Sequence, residues 1–234
     1  MSGRDYCRLD PRSLMVRYSF LFTTLGFATV TLAVLGGSWS WGSWALSWMA
    51  ANFVGIGLAY GARFPGIFGK RHDGSMRKLN VIVFFPFLLL SWTTWHAMRL
   101  FSRESAVDRI GRDLILARRL LRSEIPDDVD VVIDLTAEFP ERLSVVGARR
   151  YILFPILDAG VPSCEALHAF LNASPSSGTV LIHCAQGHGR TAMIAACLLL
   201  KRGDAATADD AVGRILSVRP GARMNRHQRS LVAM

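Results

Sequence analysis

The sequence predicts a layered α/β domain, a sheet with flanking helices, preceded by an α-helical transmembrane region. Three observations carry that expectation. Residues 18–37 and 44–61 hold no charged side chain, and each is near the roughly 20 residues that span a bilayer as a helix. Beyond about residue 104, short β-branched runs alternate with helical patterns, the order that builds a sheet with helices on its faces. The third is the run HCAQGHGRT from His183 to Thr191, a glycine-bearing loop set between a strand-like run and a helix-like run.

The N-terminal elements come first. The two uncharged segments lack the polar stripe that a soluble helix keeps, which weighs against two buried helices of a soluble core. A cleaved signal peptide fits poorly, since no small-residue cleavage site follows the first segment and a second apolar span comes at once. Trp39, Trp41, Trp44 and Trp48 cluster around Gly36, Gly37 and Ser38, as at an aromatic membrane interface. Arg4, Arg8, Arg12 and Arg17 precede the first span, and Arg63, Lys70, Arg71, Arg77 and Lys78 follow the second. The positive-inside rule then makes a hairpin with both ends cytoplasmic. A third apolar segment, residues 79–98, contains Pro86 and His96 and is followed by Arg99, Arg103, Arg109 and Arg112. Basic residues on both flanks contradict three simple crossings. The expectation is an integral, multi-pass protein with a spanning, re-entrant or interfacial third segment, preferably bent at Pro86, and its C-terminal half on the cytoplasmic face. The boundary divides a membrane region, residues 1–103, from a C-terminal domain, residues 104–234.

In the second half, residues 129–135, 151–157 and 178–183 read as strands, and 163–173, 190–202 and 206–218 as helices. Residues 110–121 fit a short edge strand or an amphipathic helix. The net charge of +9 over 234 residues invites a nucleic-acid partner. The charges lie beside apolar spans rather than in an aromatic-studded basic stripe, so anionic lipid headgroups are the simpler partner and no nucleic acid is expected. Four unevenly spaced cysteines make no disulfide framework, and the His and Cys positions show no paired spacing of a zinc site.

The loop carries the chemistry. Residues 179–182 form a buried-strand pattern and residues 192–200 a buried-helix pattern, so the loop feeds a helix N-terminus, where unpaired N–H groups and the helix dipole favour an anion. Cys184 would sit beneath that anion, and nearby cations and helix N-termini ease thiol ionisation. Cys7, Cys164 and Cys197 have Ser13, Phe170 and Gly203 at the offset where Cys184 has Arg190. A bland alternative makes Cys184 a small buried apolar residue and Arg190 a solvated helix-start charge.

The pattern His183-Cys184, Arg190-Thr191 resembles the signature of cysteine-dependent protein tyrosine and dual-specificity phosphatases. The resemblance runs from about Ile110 to the end. It includes residues 151–163, similar to the general-acid loop of dual-specificity enzymes, and Val218-Arg219-Pro220 with residues 225–228, similar to their Arg-Pro segment. The layout is most similar to the lipid-directed branch, including phosphatidylglycerophosphate phosphatases. The resemblance implies that Cys184 attacks phosphorus and forms a phosphocysteine. It further implies that Arg190 and the amides of Ala185, Gln186, Gly187, His188 and Gly189 bind the phosphate oxygens. Asp158 would act as general acid and then base, Thr191 would donate its hydroxyl to the Cys184 sulfur, and His183 would orient the loop through backbone hydrogen bonds. Asp158 could instead be a turn aspartate before a helix at Ser163, with Asp134 and Glu138 as rival acids. His188 either adds charge near the phosphate or faces solvent. No metal or other cofactor is required. The expected substrate is a phosphorylated lipid. Alternatives are a membrane-proximal phosphoprotein, a non-catalytic phosphate-binding module, and a thiol redox sensor pairing Cys184 with Cys164 or Cys197.

Overall fold

A computed structural model describes residues 12–36, 40–141, 149–175 and 177–234. Arg4, Arg8, Gly37, Ser38 and Trp39, which entered the topology argument, lie outside the described residues. Helices α1 (Arg12–Leu35) and α2 (Trp41–Ala62) form an antiparallel hairpin, and each is long and apolar enough to cross a membrane. They approach closely because Gly57 has no side chain: a Cβ there would lie 2.9 Å from the Ser19 carbonyl oxygen of α1. Apolar side chains also cover the outward faces, with Phe20, Leu32 and Trp41 all exposed. Thr29 hides its hydroxyl by donating to the Leu25 carbonyl at 2.8 Å, one turn back.

After α2 the chain makes a 3-10 turn (Pro65–Phe68) and a small bridged loop, Lys70 to Met76, before α3 (Lys78–Val83) and α4 (Phe85–Phe101). The predicted third apolar segment is therefore two helices bent at Phe84, with Pro86 opening α4. A proline ring supplies no N–H, so a bend here frees carbonyls of the preceding turn. The Val83 carbonyl accepts from Trp48 Nε1 at 2.9 Å and Asn52 Nδ2 at 2.7 Å, both on α2. From the bend, α4 runs back to the C-terminal half. There Trp92 Nε1 donates to the Glu138 carbonyl at 3.0 Å and Arg99 forks onto Glu124 at 2.6 and 2.8 Å.

The C-terminal half is an α/β fold built on a mixed five-stranded sheet of order β1-β2-β5-β3-β4. Its strands are β1 (Val107–Ile110), β2 (Leu114–Arg118), β3 (Val131–Thr136), β4 (Arg150–Ile156) and β5 (Val180–Cys184). Its helices are α5 (Cys164–Ala173), α6 (Gly189–Arg202), α7 (Ala208–Val218) and α8 (Arg226–Val232). The predicted strands and helices fall on β3, β4, β5, α5, α6 and α7. The ambiguous stretch at 110–121 belongs to a hairpin of β1 and β2 rather than to an amphipathic helix. Gly111 at φ +64 helps turn the chain, and Leu114 to Ala117 are buried on both faces beside β5. Helix α8 has no counterpart in the sequence prediction. Helix α6 is buried from Arg190 to Leu199, so the segment after the glycine loop forms the centre of the domain.

A buried ion pair fastens the N-terminal region to the sheet. Lys70 Nζ lies 2.5 Å from Asp134 Oδ2 and donates to the Thr136 carbonyl and hydroxyl, each at 2.9 Å, with both charged side chains shielded from solvent. Tyr151 donates to the same carboxylate at 2.7 Å. Burial pushes the Asp134 carboxyl up, but the charges of Lys70 and His183 and the hydrogen bonds from Lys70 and Thr136 overcome it, leaving it well below the usual carboxylate range. Removing one partner strands a charge. Lys70→Met is expected to destabilise the protein by about 3–5 kcal/mol, read as a lower melting temperature in detergent. Because the native Asp134 holds its charge more strongly than the unfolded chain, its stabilisation is present above the unfolded value of about 4 and is lost as pH falls below it. The melting temperatures of wild type and the Lys70→Met/Asp134→Leu double variant should therefore converge on acidification below that pH; a constant difference would show the pair does not titrate as described.

Candidate active site

Between the end of β5 at Cys184 and the start of α6 at Gly189, the loop doubles back tightly. Gly187 sits at φ +73, and a Cβ on it would lie 2.7 Å from the Ala117 carbonyl of β2, so no larger residue fits. The loop carbonyls are tied outward. That of Ala185 accepts from Trp95 Nε1 at 2.9 Å and from the Arg119 amide at 3.1 Å. Those of Gln186 and Gly187 accept from Arg219 Nη2 and Nε at 3.2 and 2.9 Å. Arg219 is itself held by Asp108 and the Ser105 carbonyl. Turning these carbonyls out leaves the intervening amides to the concave side, at the N-terminus of α6, where an anion is favoured.

Arg190 lies under this cradle with 2% of its surface exposed. Glu138 grips it in fork geometry, Oε1 to Nη2 at 2.7 Å and Oε2 to Nη1 at 3.1 Å, while Nη1 also donates to the Ile156 carbonyl at 2.9 Å. Burial lowers the basicity of the guanidinium, and the negative charges of Glu138, Asp158 and Cys184 more than offset that, so it stays charged. Its Nε is buried with no hydrogen-bond partner among the described residues. Nη2 makes a second, looser contact of 3.1 Å to Asp158 Oδ1, on a side chain that is 75% exposed. The edge formed by Nε and Nη2 is thus the part of the fork left for an oxyanion.

Cys184, Ala185, Gln186, His188, Gly189, Arg190 and Asp158 line one cavity of about 610 Å³. Seven positions named from the sequence thus converge. Two expectations fail in detail. Thr191 Oγ1 is buried without a partner among the described residues, so the anticipated hydroxyl-to-sulfur bond is not formed. His183 does not orient the loop through its ring: Nε2 faces Asp134 and Glu141 at 3.9 and 3.6 Å, Nδ1 finds no partner among the described residues, and Arg219 and Trp95 hold the loop instead. His188 pairs with Glu104 at 2.6 Å, and that hydrogen bond, against modest burial, lowers the Glu104 carboxyl.

Of the rival acids, Asp134 is sequestered with Lys70. Glu138 reaches the cavity but commits its oxygens to Arg190 and the Ala137 amide. The sequence showed no clustered metal ligands, yet folding gathers Asp134, Glu141 and His183 within 4.8 Å. The Lys70 ammonium already on Asp134 makes this a buried charge network whose donors poorly fit an added cation. Cys184 and Cys197 are both free, and burial pushes the Cys197 thiol up to about 12. Sequence reasoning missed Tyr60 and Trp95. Tyr60 of α2 donates to the Asp158 carbonyl at 3.3 Å. Asn225 and Gln228 reach the same loop from α8, donating to the carbonyls of Ala159 and Gly160 at 2.8 and 3.2 Å.

Residues 120–232 match the family model described as PTP-SAK, a Swiss Army Knife protein with a DSP-PTPase phosphatase domain. The C-terminal half carries a dual-specificity-type phosphatase domain. This phosphatase domain makes the protein a cysteine-dependent phosphoric monoester hydrolase, and its substrate is phosphorylated. Among solved structures, Tk-PTP in its active form is similar at 25% identity and TM-score 0.48, covering 54% of this chain and 93% of that one. PTPMT1 in complex with PI(5)P gives 18% identity and TM-score 0.47, covering 55% and 93%. Human DUSP28 gives 18% identity and TM-score 0.40, covering 55% and 91%. No curated protein matches the chain. In the phosphatase domain, Gly187→Ala should cost more than about 1 kcal/mol, through positive φ and the clash with Ala117, and should abolish protection of the melting temperature by inorganic phosphate. Retained protection would show that the cradle does not depend on this close approach.

Proposed function

We propose that the protein is a membrane-anchored phosphatase that hydrolyses a phosphate monoester carried on a lipid, through a phosphocysteine. One observation carries this: Cys184, Arg190 and Asp158 line the same cavity as Tyr18 and Phe22 of α1, Tyr60 of α2 and Phe87 of α4. A soluble phosphoprotein has no need of a pocket walled by membrane-type helices. Tethering the site at the bilayer also raises its effective concentration toward substrates held there.

The shared cavity supports the chemistry assigned to each residue. Arg190 and the loop amides from Ala185 to Arg190 bind three phosphoryl oxygens, the incoming phosphate displacing Asp158 from the guanidinium. Cys184 Sγ attacks phosphorus as the thiolate, the ester P–O bond breaks, and Asp158 gives its proton to the leaving alkoxide. Asp158, now a carboxylate, takes a proton from water as the water oxygen attacks phosphorus. The S–P bond breaks, inorganic phosphate forms and the thiolate returns. His188 supports the loop through Glu104.

Residues 1–103 are assigned as the membrane region and 104–234 as the catalytic domain, on the cytoplasmic face. Arg63, Arg71, Arg77 and Lys78 beyond α2, and Arg99 and Arg103 at the end of α4, support this by the positive-inside rule. The capped Val83 carbonyl supports a re-entrant bend, since a bare carbonyl at membrane depth is costly. A reporter fused after Met234 should score cytoplasmic; an external score would require an odd number of crossings.

For the chemistry, Cys184→Ser should eliminate release of phosphate from p-nitrophenyl phosphate and from lipid substrates alike. Asp158→Asn should slow hydrolysis of alkyl phosphates by about 10² to 10⁴ and spare good leaving groups, the pattern of a lost general acid. Glu138→Gln, which loosens Arg190, should slow both classes in step. A selective loss with alkyl phosphates in Glu138→Gln would move the acid to that residue. Faster turnover of phosphopeptides than of lipid phosphates in mixed micelles would overturn the lipid assignment.

A further inference from the structure

Resting on that lipid assignment, we infer that the substrate carries its phosphate directly on a glycerol or an isoprenoid alcohol, with no polyol headgroup between the phosphate and the hydrocarbon. The contacts can be followed outward from the reacting centre. Asp158, assigned above to protonate the leaving oxygen, stands 3.1 Å from Arg190. Its carbonyl accepts from Tyr60 at 3.3 Å, so the Tyr60 ring begins one residue away from the ester bond. That ring packs 5.3 Å from Tyr18 and 5.6 Å from Phe22. Phe22 meets Phe87 edge-on at 5.8 Å, and Phe87 stacks on Phe68 at 5.6 Å.

The leaving group therefore meets an aromatic wall within a few bonds of phosphorus. A ring of hydroxyls placed there would lose its water and find few partners, a penalty of about 1–3 kcal/mol for each unsatisfied group. The hydroxyls facing the cavity from these helices are those of Tyr18, Tyr60, Ser91 and Thr94, and that of Tyr60 is committed to Asp158. This set suffices for one or two ester or alcohol oxygens. Of the charged groups in the lining, Arg190, Arg223, Glu138 and His188 come from the cradle and its surroundings, and Asp158 is the one joined to the aromatic wall, through Tyr60.

The cavity also has an apolar exit. Leu90 of α4 both lines it and is 57% exposed on the outer surface, beside the exposed Leu89. A volume of about 610 Å³ accommodates a body of drug size, not two full acyl chains, so the tails continue past Leu90 along the apolar faces of the helices. The substrate thus enters sideways, keeping its hydrocarbon in contact with apolar surface throughout.

The test uses the full chain in mixed micelles, with phosphate release measured from dioleoyl phosphatidic acid, a polyprenyl phosphate and a phosphatidylinositol monophosphate at equal surface fraction, and p-nitrophenyl phosphate as a water-soluble reference. At least one of the first two should exceed the phosphoinositide by about tenfold or more in kcat/KM, and which one leads identifies the alcohol. Phe87→Asn, and separately Leu90→Asn at the exposed rim where folding is not at risk, should lower the ratio of lipid to p-nitrophenyl phosphate turnover about tenfold. A phosphoinositide hydrolysed as fast as the simpler lipids, or a ratio that stays constant in Leu90→Asn, would overturn the inference. Loss of the parent assignment would look different: turnover surviving in Cys184→Ser, or phosphopeptides preferred over every lipid.

Discussion

A guanidinium held without water beneath a loop of amides is the constraint on which the rest of the site depends. Arg190 is the first buried residue of a helix that forms the domain's centre, so its charge cannot be relaxed by solvent. It is tolerable only because Glu138, just past the end of β3, and the Ile156 carbonyl, at the end of β4, converge on it. Both reach it because β3 lies between β5 and β4 in the sheet, bringing three chain ends to one edge. The ligand-facing edge of the fork is what this bonding leaves over. Strand order thus bears on the chemistry: the alignment that buries the cation at the cavity wall leaves its Nε without a partner among the described residues.

A second buried pair performs a different task. Lys70 belongs to the connection between the N-terminal helices, and its partner Asp134 lies in β3 opposite His183 of β5, one residue before Cys184. Above the same strand, the Glu141 amide donates to the Gly74 carbonyl at 2.8 Å. The connection is thereby fixed to the sheet on the flank away from the cavity, while Trp92 and Trp95 of α4 fix it on the other through the carbonyls of Glu138 and Ala185. Both tryptophan hydrogen bonds from α4 end on backbone carbonyls of residues that line the cavity. The apolar helices are therefore part of the site's frame.

The strand, loop and helix around Cys184 were legible because their signals are local: a β-branched run, glycines at a turn and an apolar helix within a few residues. The partners of those residues were not. Glu138 was visible only as a rival acid, since nothing local reveals that its two oxygens face a guanidinium from a strand far along the chain. Lys70 read as a topology-setting charge and proved to be buried, because the strand that receives it lies 64 residues away. The hairpin of β1 and β2 was ambiguous because both of its possible structures bury the same leucines; Gly111, in a left-handed turn, decides it. Thr191 and His183 were assigned by position in the motif, and their rings or hydroxyls turn out to be directed by packing rather than by sequence neighbours.

The family match covers residues 120–232, and every residue of the aromatic wall from Tyr18 to Phe87 lies before it. The proposed function consequently divides reaction chemistry and substrate choice between different parts of the chain. A phosphate cradle recognises little more than a tetrahedral dianion, and what hangs from the fourth oxygen must be selected by whatever surface stands beyond the acid loop. In this protein that surface is built by α1, α2 and α4, and Tyr60 joins it physically to Asp158. Exchanging those helices for a polar lid would leave Cys184, Arg190 and Asp158 in place while removing the apolar wall of the cavity. Under the proposed assignment, specificity becomes a property of the junction between the two halves, where Tyr60 pins the apolar helices to the Asp158 loop.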